Sequence, residues 1–144
     1  MKKNEPIMVE EKRTPKGLPY KAIVVHALSF KSTTEEDPIV RFTGVVRDLV
    51  AQHPREVPLL VDMTLVEQID SKGLGVLIWF NGQFKKERKK GWWPPLFLLS
   101  SEVQELIKYL GVLYHLLTFS NENEFQNDYE KNYADENDNQ DTNT

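Results

Sequence analysis

Apolar and polar positions along this chain switch between the period of a strand and that of a helix, and the switches mark its elements. Tyr20 to Ser29 (Tyr-Lys-Ala-Ile-Val-Val-His-Ala-Leu-Ser) is apolar and β-branched and predicts a strand; the weaker stretch Ile7 to Lys12 allows an edge strand before it. Asp37-Pro38 offers a cap followed by proline at the first helical position, and Ile39, Phe42, Val46 and Leu49 then fall on one helical face. This helix is expected to end near His53-Pro54. Val57 to Thr64 is apolar through most of its length, as a strand covered on both faces would be.

A second helix is expected from about Lys72 to Lys89, apolar on nearly all sides in its first half (Leu74, Val76, Leu77, Ile78, Trp79, Phe80) and closed by Gly91. Its last turn is the basic run Lys85 to Lys90, which suits the negative end of a helix dipole better than it suits a nucleic acid. Pro95 to Leu99 reads as a short strand, and Ser101-Glu102-Val103-Gln104 has the form of a capping box for a third helix that ends near Leu110-Gly111. A final strand is expected at Leu116 to Phe119. Alternation of this kind points to an α/β fold, a mixed central sheet of four to five strands flanked by helices.

Charge divides the chain unevenly. Residues 121–144 hold eight acids against one base, Lys131, whereas the rest carries 17 bases and 14 acids. Rich in Asn and nearly empty of aliphatics, that stretch is expected to be a disordered acidic tail that adds little to stability. The expected organisation is therefore an N-terminal segment over 1–19, a domain over 20–120 and a tail over 121–144. There is no cysteine, which excludes disulfides, thiolate metal sites and thiol nucleophiles. The first ten residues have no apolar signal core and no later run is long enough to span a bilayer, so a cytoplasmic protein without membrane insertion is expected.

The segment with the most chemistry is Ile69-Asp70-Ser71-Lys72-Gly73-Leu74-Gly75, where a strand hands over to a helix. Unpaired N–H groups and the positive end of the dipole stabilise an anion at such a place, so a serine there is well placed to carry a phosphate. The same residues allow a plainer role, with Ser71 or Asp70 acting as the N-cap alone.

From about Tyr20 to Asn121 the chain resembles a STAS domain, the fold of bacterial anti-sigma factor antagonists. Val61 to Gly75 (Val-Asp-Met-Thr-Leu-Val-Glu-Gln-Ile-Asp-Ser-Lys-Gly-Leu-Gly) is similar, without a gap, to that family's L-D-L-S-x-V-x-x-I-D-S-S-G-L-G, and Leu110-Gly111-Val112 is similar to its S-G-L turn. Lys72 stands where the family has a second serine, and Leu28 to Glu35 replaces its usual Gly-Glu-Leu-Asp loop. The resemblance implies that Ser71 is phosphorylated by an anti-sigma factor, a serine-protein kinase of the histidine-kinase-like ATPase fold, and that a serine phosphatase reverses it. It implies partner switching through Asp70, Ser71, Lys72, Gly73, Leu74 and Gly75. It also admits a scaffold or accessory subunit of the stressosome or lipid-transport kind, in which phosphorylation is secondary.

Other chemistries find less support. Gly73 and Gly75 lack the third glycine of a dinucleotide fingerprint, Ile78 standing there, and no P-loop occurs. His26, His53 and His115 have no metal-ligand spacing, and no nucleophile, base and orienting acid form a recognisable set. No cofactor and no catalytic residue is therefore expected; a small-ligand or nucleotide binder is the third and weakest reading. The pair Trp92-Trp93 before Pro94 is read as packed under neighbouring elements or, failing that, as a docking patch.

Overall fold

The computed structural model describes residues 6–31, 38–85, 93–109 and 116–142. Its elements run β1 (Ile7–Arg13), β2 (Pro19–Val25), β3 (Ser29–Phe30), α1 (Pro38–Gln52), β4 (Leu59–Met63), β5 (Gln68–Ile69), α2 (Ser71–Lys85), β6 (Leu96–Leu99), α3 (Ser101–Tyr109), β7 (Leu117–Phe119) and α4 (Glu122–Thr142). The fold is α/β. Five strands form a mixed sheet in the order β1-β2-β4-β6-β7, in which β2, β4, β6 and β7 are parallel and β1 pairs antiparallel with β2 along its whole length. The Ile7 stretch is thus the edge strand that its sequence allowed, and it belongs to the sheet. The hairpin turn closes on Thr14, with Gly17 at φ 91°, a conformation that glycine adopts without a Cβ penalty.

The expected strand from Tyr20 to Ser29 is broken. Pairing with β4 stops at Val24, and Ser29–Phe30 forms a separate parallel pair with β5. The backbone N–H groups of Glu67 and Gln68 both donate to the Leu28 carbonyl, at 2.7 and 3.1 Å, which holds this small second sheet above the ends of β2 and β4.

Pleating sorts the sheet residues between two cores. Ile23, Val25, Val61, Met63, Phe97 and Leu99 meet Ile39, Phe42, Val46 and Leu49 of α1, Leu74, Leu77 and Phe80 of α2, and Val103 and Ile107 of α3. An edge-to-face chain, Phe30–Phe42–Phe80–Phe97, runs through this core with ring centroids 5.4, 5.6 and 6.2 Å apart. Ala22, Val24, Leu60, Leu96 and Leu98 point the other way, and there they meet Phe119, Phe125 and Tyr129.

That second face overturns the expectation for the tail. Residues 122–142 are helical, and Phe125 and Tyr129 are buried at 0% and 4% exposure. One helical turn apart, they fall on one side, and burying each is worth about 2 kcal/mol. Polar groups fix the position. Lys12 Nζ and the Tyr20 hydroxyl both donate to Glu122, Tyr129 Oη donates to the Pro19 carbonyl at 2.8 Å, and Thr14 Oγ1 and the Lys16 N–H donate to Glu130 at 2.7 and 2.8 Å. Burial and the Glu122 carboxylate together raise the Tyr20 pKa, so its phenol stays a donor. The packed unit therefore extends past residue 120.

A smaller correction concerns α3. The cap is Ser100, not Ser101: Ser100 Oγ accepts from the Val103 N–H at 3.2 Å and donates to the Val66 carbonyl, while Gln104 Nε2 reaches the Leu99 carbonyl at 3.0 Å. Trp93 packs edge-to-face on Tyr129 at 5.4 Å and is half-buried, as the packed reading of that residue required. Asp37, the Ser32 to Glu35 part of the replaced loop, the end of the basic run, Gly91, Trp92, Leu110 to Val112 and His115 lie outside the described residues. No helix among the described residues is long and apolar enough to cross a membrane.

Candidate functional site

β4 runs through the centre of the sheet, β5 ties the following chain to β3, and the backbone turns into α2 immediately afterwards. This geometry decides which residue caps the helix. Asp70 Oδ1 accepts from the Gly73 N–H at 2.8 Å, and the Asp70 carbonyl accepts the first helical bond, from the Leu74 N–H at 3.0 Å. Asp70 is the N-cap, and Ser71 is the first helical residue. Ser71 is exposed, because the first position of a helix faces away from the packed side here.

The two glycines of the segment have different reasons. Gly73 is buried under β3: a Cβ at this position would sit 2.9 Å from both Ile69 Cγ1 and Phe30 Cδ2, and closer still to the Phe30 carbonyl oxygen. Only glycine fits there. Gly75 is exposed, and a Cβ added to it would meet nothing within 4 Å, so nothing inside the chain demands glycine there. In mid-helix a glycine costs about 1 kcal/mol relative to alanine.

Gly75 lines a groove of about 330 Å³ between α2 and α3, together with Ile69, Asp70, Ser71, Leu74, Ile78 and Leu106. Ile78 and Leu106 are 36% and 37% exposed, and Tyr109, farther along α3, is 87% exposed. The expected site residues are thus brought together unevenly. Ser71, Lys72 and Gly75 face outward, Asp70 is half-buried as the cap, and Gly73 and Leu74 are buried and serve the fold. Ile78 and Leu106 went unrecognised in the sequence because their exposure depends on how far apart α2 and α3 sit; the only local signal was that Leu106 adjoins the buried Ile107.

Chemically the site is a hydroxyl at the positive end of a fifteen-residue helix, beside an apolar groove. The nearest carboxylate, Asp70, is engaged by the Gly73 N–H as a cap. Among the described residues no three His, Cys, Asp or Glu side chains gather in a way that could hold a metal ion. Comparison with protein-family models and with curated protein sequences gives no match.

Proposed function

We propose that this protein is a cytoplasmic regulatory binding protein of the anti-sigma factor antagonist type, switched by reversible phosphorylation of Ser71. The observation that carries the reading is that Asp70, and not Ser71, caps α2, which leaves an exposed hydroxyl on the rim of an apolar groove. The STAS-like motif over Val61 to Gly75 and the α/β order around it support the same assignment. In this reading a serine-protein kinase of the histidine-kinase-like ATPase fold docks on α2, with its contacts at Ser71, Lys72, Gly75, Ile78 and Leu106. Phosphate adds about −1.5 to −2 charges to that surface. Such charge suits the helix N-terminus, so the fold survives, while an interface desolvating the groove is weakened. A serine phosphatase restores binding. The protein itself is then a substrate and a binding partner, with no turnover of its own.

The test joins two measurements: intact mass and site mapping on protein isolated from its native cell, and the affinity of the recovered kinase partner for wild type, Ser71→Ala and Ser71→Asp. Phosphate on Ser71 together with weakened binding by Ser71→Asp alone supports the switch. Equal binding by all three proteins and no phosphate at Ser71 sinks it and leaves the scaffold or accessory-subunit role.

A further inference from the structure

The sheet is left open at β1. This strand stands at the end of the order β1-β2-β4-β6-β7 and, among the described residues, pairs only with β2. Which of its backbone groups face outward follows from the two ends of the hairpin ladder. The His26 N–H donates to the Pro6 carbonyl at 2.7 Å and the Thr14 N–H to the Leu18 carbonyl at 2.9 Å, both in the continuous register that sets Ile7 against Val25 and Arg13 against Pro19. Hydrogen-bonded pairs alternate along an antiparallel ladder, so Met8, Glu10 and Lys12 turn their N–H and C=O groups toward β2, while Ile7, Val9, Glu11 and Arg13 turn theirs outward. Side chains alternate as well. Ile7 belongs to the core beneath α1, which puts Val9, Glu11 and Arg13 on that side; Lys12 reaches Glu122 of α4, which puts Met8 and Glu10 on the other. Met8 and Val9 are each 42% exposed, so the strand is open on both faces at its outer edge.

An unpaired edge is a template for another strand, and charged side chains guard it against indiscriminate pairing. Here the charges are ordered: Glu10 and Glu11 are followed by Lys12 and Arg13. Two acids followed by two bases are complementary to the same sequence run backwards. With a second copy set antiparallel about a two-fold axis through Glu11, perpendicular to the sheet, Val9 opposes Arg13 of that copy, Glu10 opposes its Lys12, and Glu11 meets its own equivalent. On the α4 side this makes two Glu10–Lys12 pairs at the closer, non-hydrogen-bonded spacing. On the α1 side the Arg13 stem covers Val9, and each Glu11 carboxylate lies between Lys21, its cross-strand neighbour within its own copy, and the diagonal Arg13 of the other. Other registers fit less well. An axis through Glu10 or Lys12 sets like charges against each other at the closer spacing, and one through Val9 carries Lys12 and Arg13 past the start of the opposing strand.

We propose that this chain forms a two-fold homodimer through β1, in which the sheets of two copies join edge to edge into one. The outward N–H and C=O groups of Val9, Glu11 and Arg13 supply about six backbone hydrogen bonds across the axis. The ordered charges admit a second copy in one register and repel strands without the matching pattern. A single strand pair buries less than the roughly 1,200 Å² of a stable complex, so the dimer is weak, with a Kd of about 10 to 100 μM. β1 carries no residue of the site at the start of α2, so the inference does not rest on the proposed switch.

Sedimentation of the full chain from about 5 to 500 μM tests the association, and single cysteines test the register, because the chain has no thiol of its own. The average mass is expected to rise with concentration toward that of a dimer and to fall back at high salt, which screens the charge pairs. Glu11→Cys brings two sulfurs together across the axis, where Cα atoms about 5.5 Å apart suit a disulfide; in Val9→Cys the two positions are about 14 Å apart. Glu11→Cys should therefore become linked at least tenfold faster than Val9→Cys. Val9→Pro gives up only an outward N–H, so the β1–β2 ladder survives, and it should weaken the dimer at least tenfold; Glu10→Lys, which sets a lysine against Lys12, should weaken it several-fold. A chain that stays monomeric over the whole range overturns the proposal, as does Val9→Cys linking as fast as Glu11→Cys, or a dimer that either folded variant leaves as tight as wild type.

Discussion

Helices α2 and α3 begin in the same way and end up offering different things. Each follows a strand, each is capped by a polar residue, Asp70 or Ser100, and each places an exposed serine, Ser71 or Ser101, directly after the cap. At α3 the start is fastened to its surroundings. Ser100 bonds the Val66 carbonyl as well as its own helix, Gln104 closes on Leu99, and Ser101 Oγ lies 3.4 Å from the Glu102 carboxylate. At α2 the first turn holds no acid, the rim carries Lys72 and Gly75, and an apolar groove opens alongside. For the switch proposed at Ser71, a serine after a cap is therefore not enough by itself. What separates the two is whether the surrounding charge and surface favour an added anion and a partner.

The largest effect that bears on this contrast is expected at Gly73. Alanine there pushes a Cβ into the Phe30 backbone, which cannot rotate away as a side chain would, so Gly73→Ala should cost about 3 kcal/mol and lower the melting temperature sharply. A variant as stable as wild type would show that β3 is not seated on α2 as described. Next comes Ser100→Ala, which removes a buried cap and strands the Val66 carbonyl, at about 2 to 3 kcal/mol in urea unfolding. Asp70→Ala removes a half-buried cap, where Ser100 is buried, and should cost about 1 kcal/mol. A loss at Asp70 equal to that at Ser100 would erase the difference in fastening on which the comparison rests.

Much of this arrangement was legible in the sequence, and the exceptions have physical reasons. The α1 face of Ile39, Phe42, Val46 and Leu49 and the central strand of β4 follow directly from period and apolarity, and both are buried as expected. Which of two adjacent polar residues caps a helix was not legible. The cap is fixed by where the preceding strand lets go, at Ile69 for α2 and at Leu99 for α3, and that depends on pairing with distant β3 and β4. The α4 helix was missed because two aromatics, Phe125 and Tyr129, were outvoted by the acidic and amide residues around them. A topological argument would have found it. Three parallel crossovers stepping in one direction, β2 to β4 to β6 to β7, place α1, α2 and α3 on one face if all are right-handed. Strands β4 and β6 are apolar toward both faces, so something else had to cover the second.

Gly75 gives a test of smaller energy and sharper meaning. Since space is open around it, Gly75→Ala should stabilise the isolated protein by about 0.5 to 1 kcal/mol, and Gly44→Ala, equally open and exposed on α1, should do the same. The two should part company in the presence of the partner. A methyl group on the groove floor is expected to weaken the complex at least several-fold, whereas one on α1 leaves it unchanged. Equal affinities would mean that the partner does not approach α2 closely, whatever the state of Ser71.

The smallest stability effects, and the most direct contrast, belong to the serines themselves. Neither hydroxyl caps its helix, so Ser71→Ala and Ser101→Ala should each change stability by less than about 0.5 kcal/mol. Aspartate separates them. At Ser71 the flanking charges are the Asp70 cap and Lys72, which offset each other, so the aspartate keeps a dipole gain of about 0.3 to 1 kcal/mol; at Ser101 the neighbours are the neutral Ser100 cap and Glu102, and the same gain is offset by repulsion from Glu102. Salt discriminates further, because the advantage of Ser71→Asp should shrink as ionic strength rises. Urea unfolding of the four variants at low and high salt measures all of this without any partner. If Ser101→Asp stabilises as much as Ser71→Asp, the start of α2 has no electrostatic preference for an added negative charge, and the case for Ser71 would rest on the groove beside it alone.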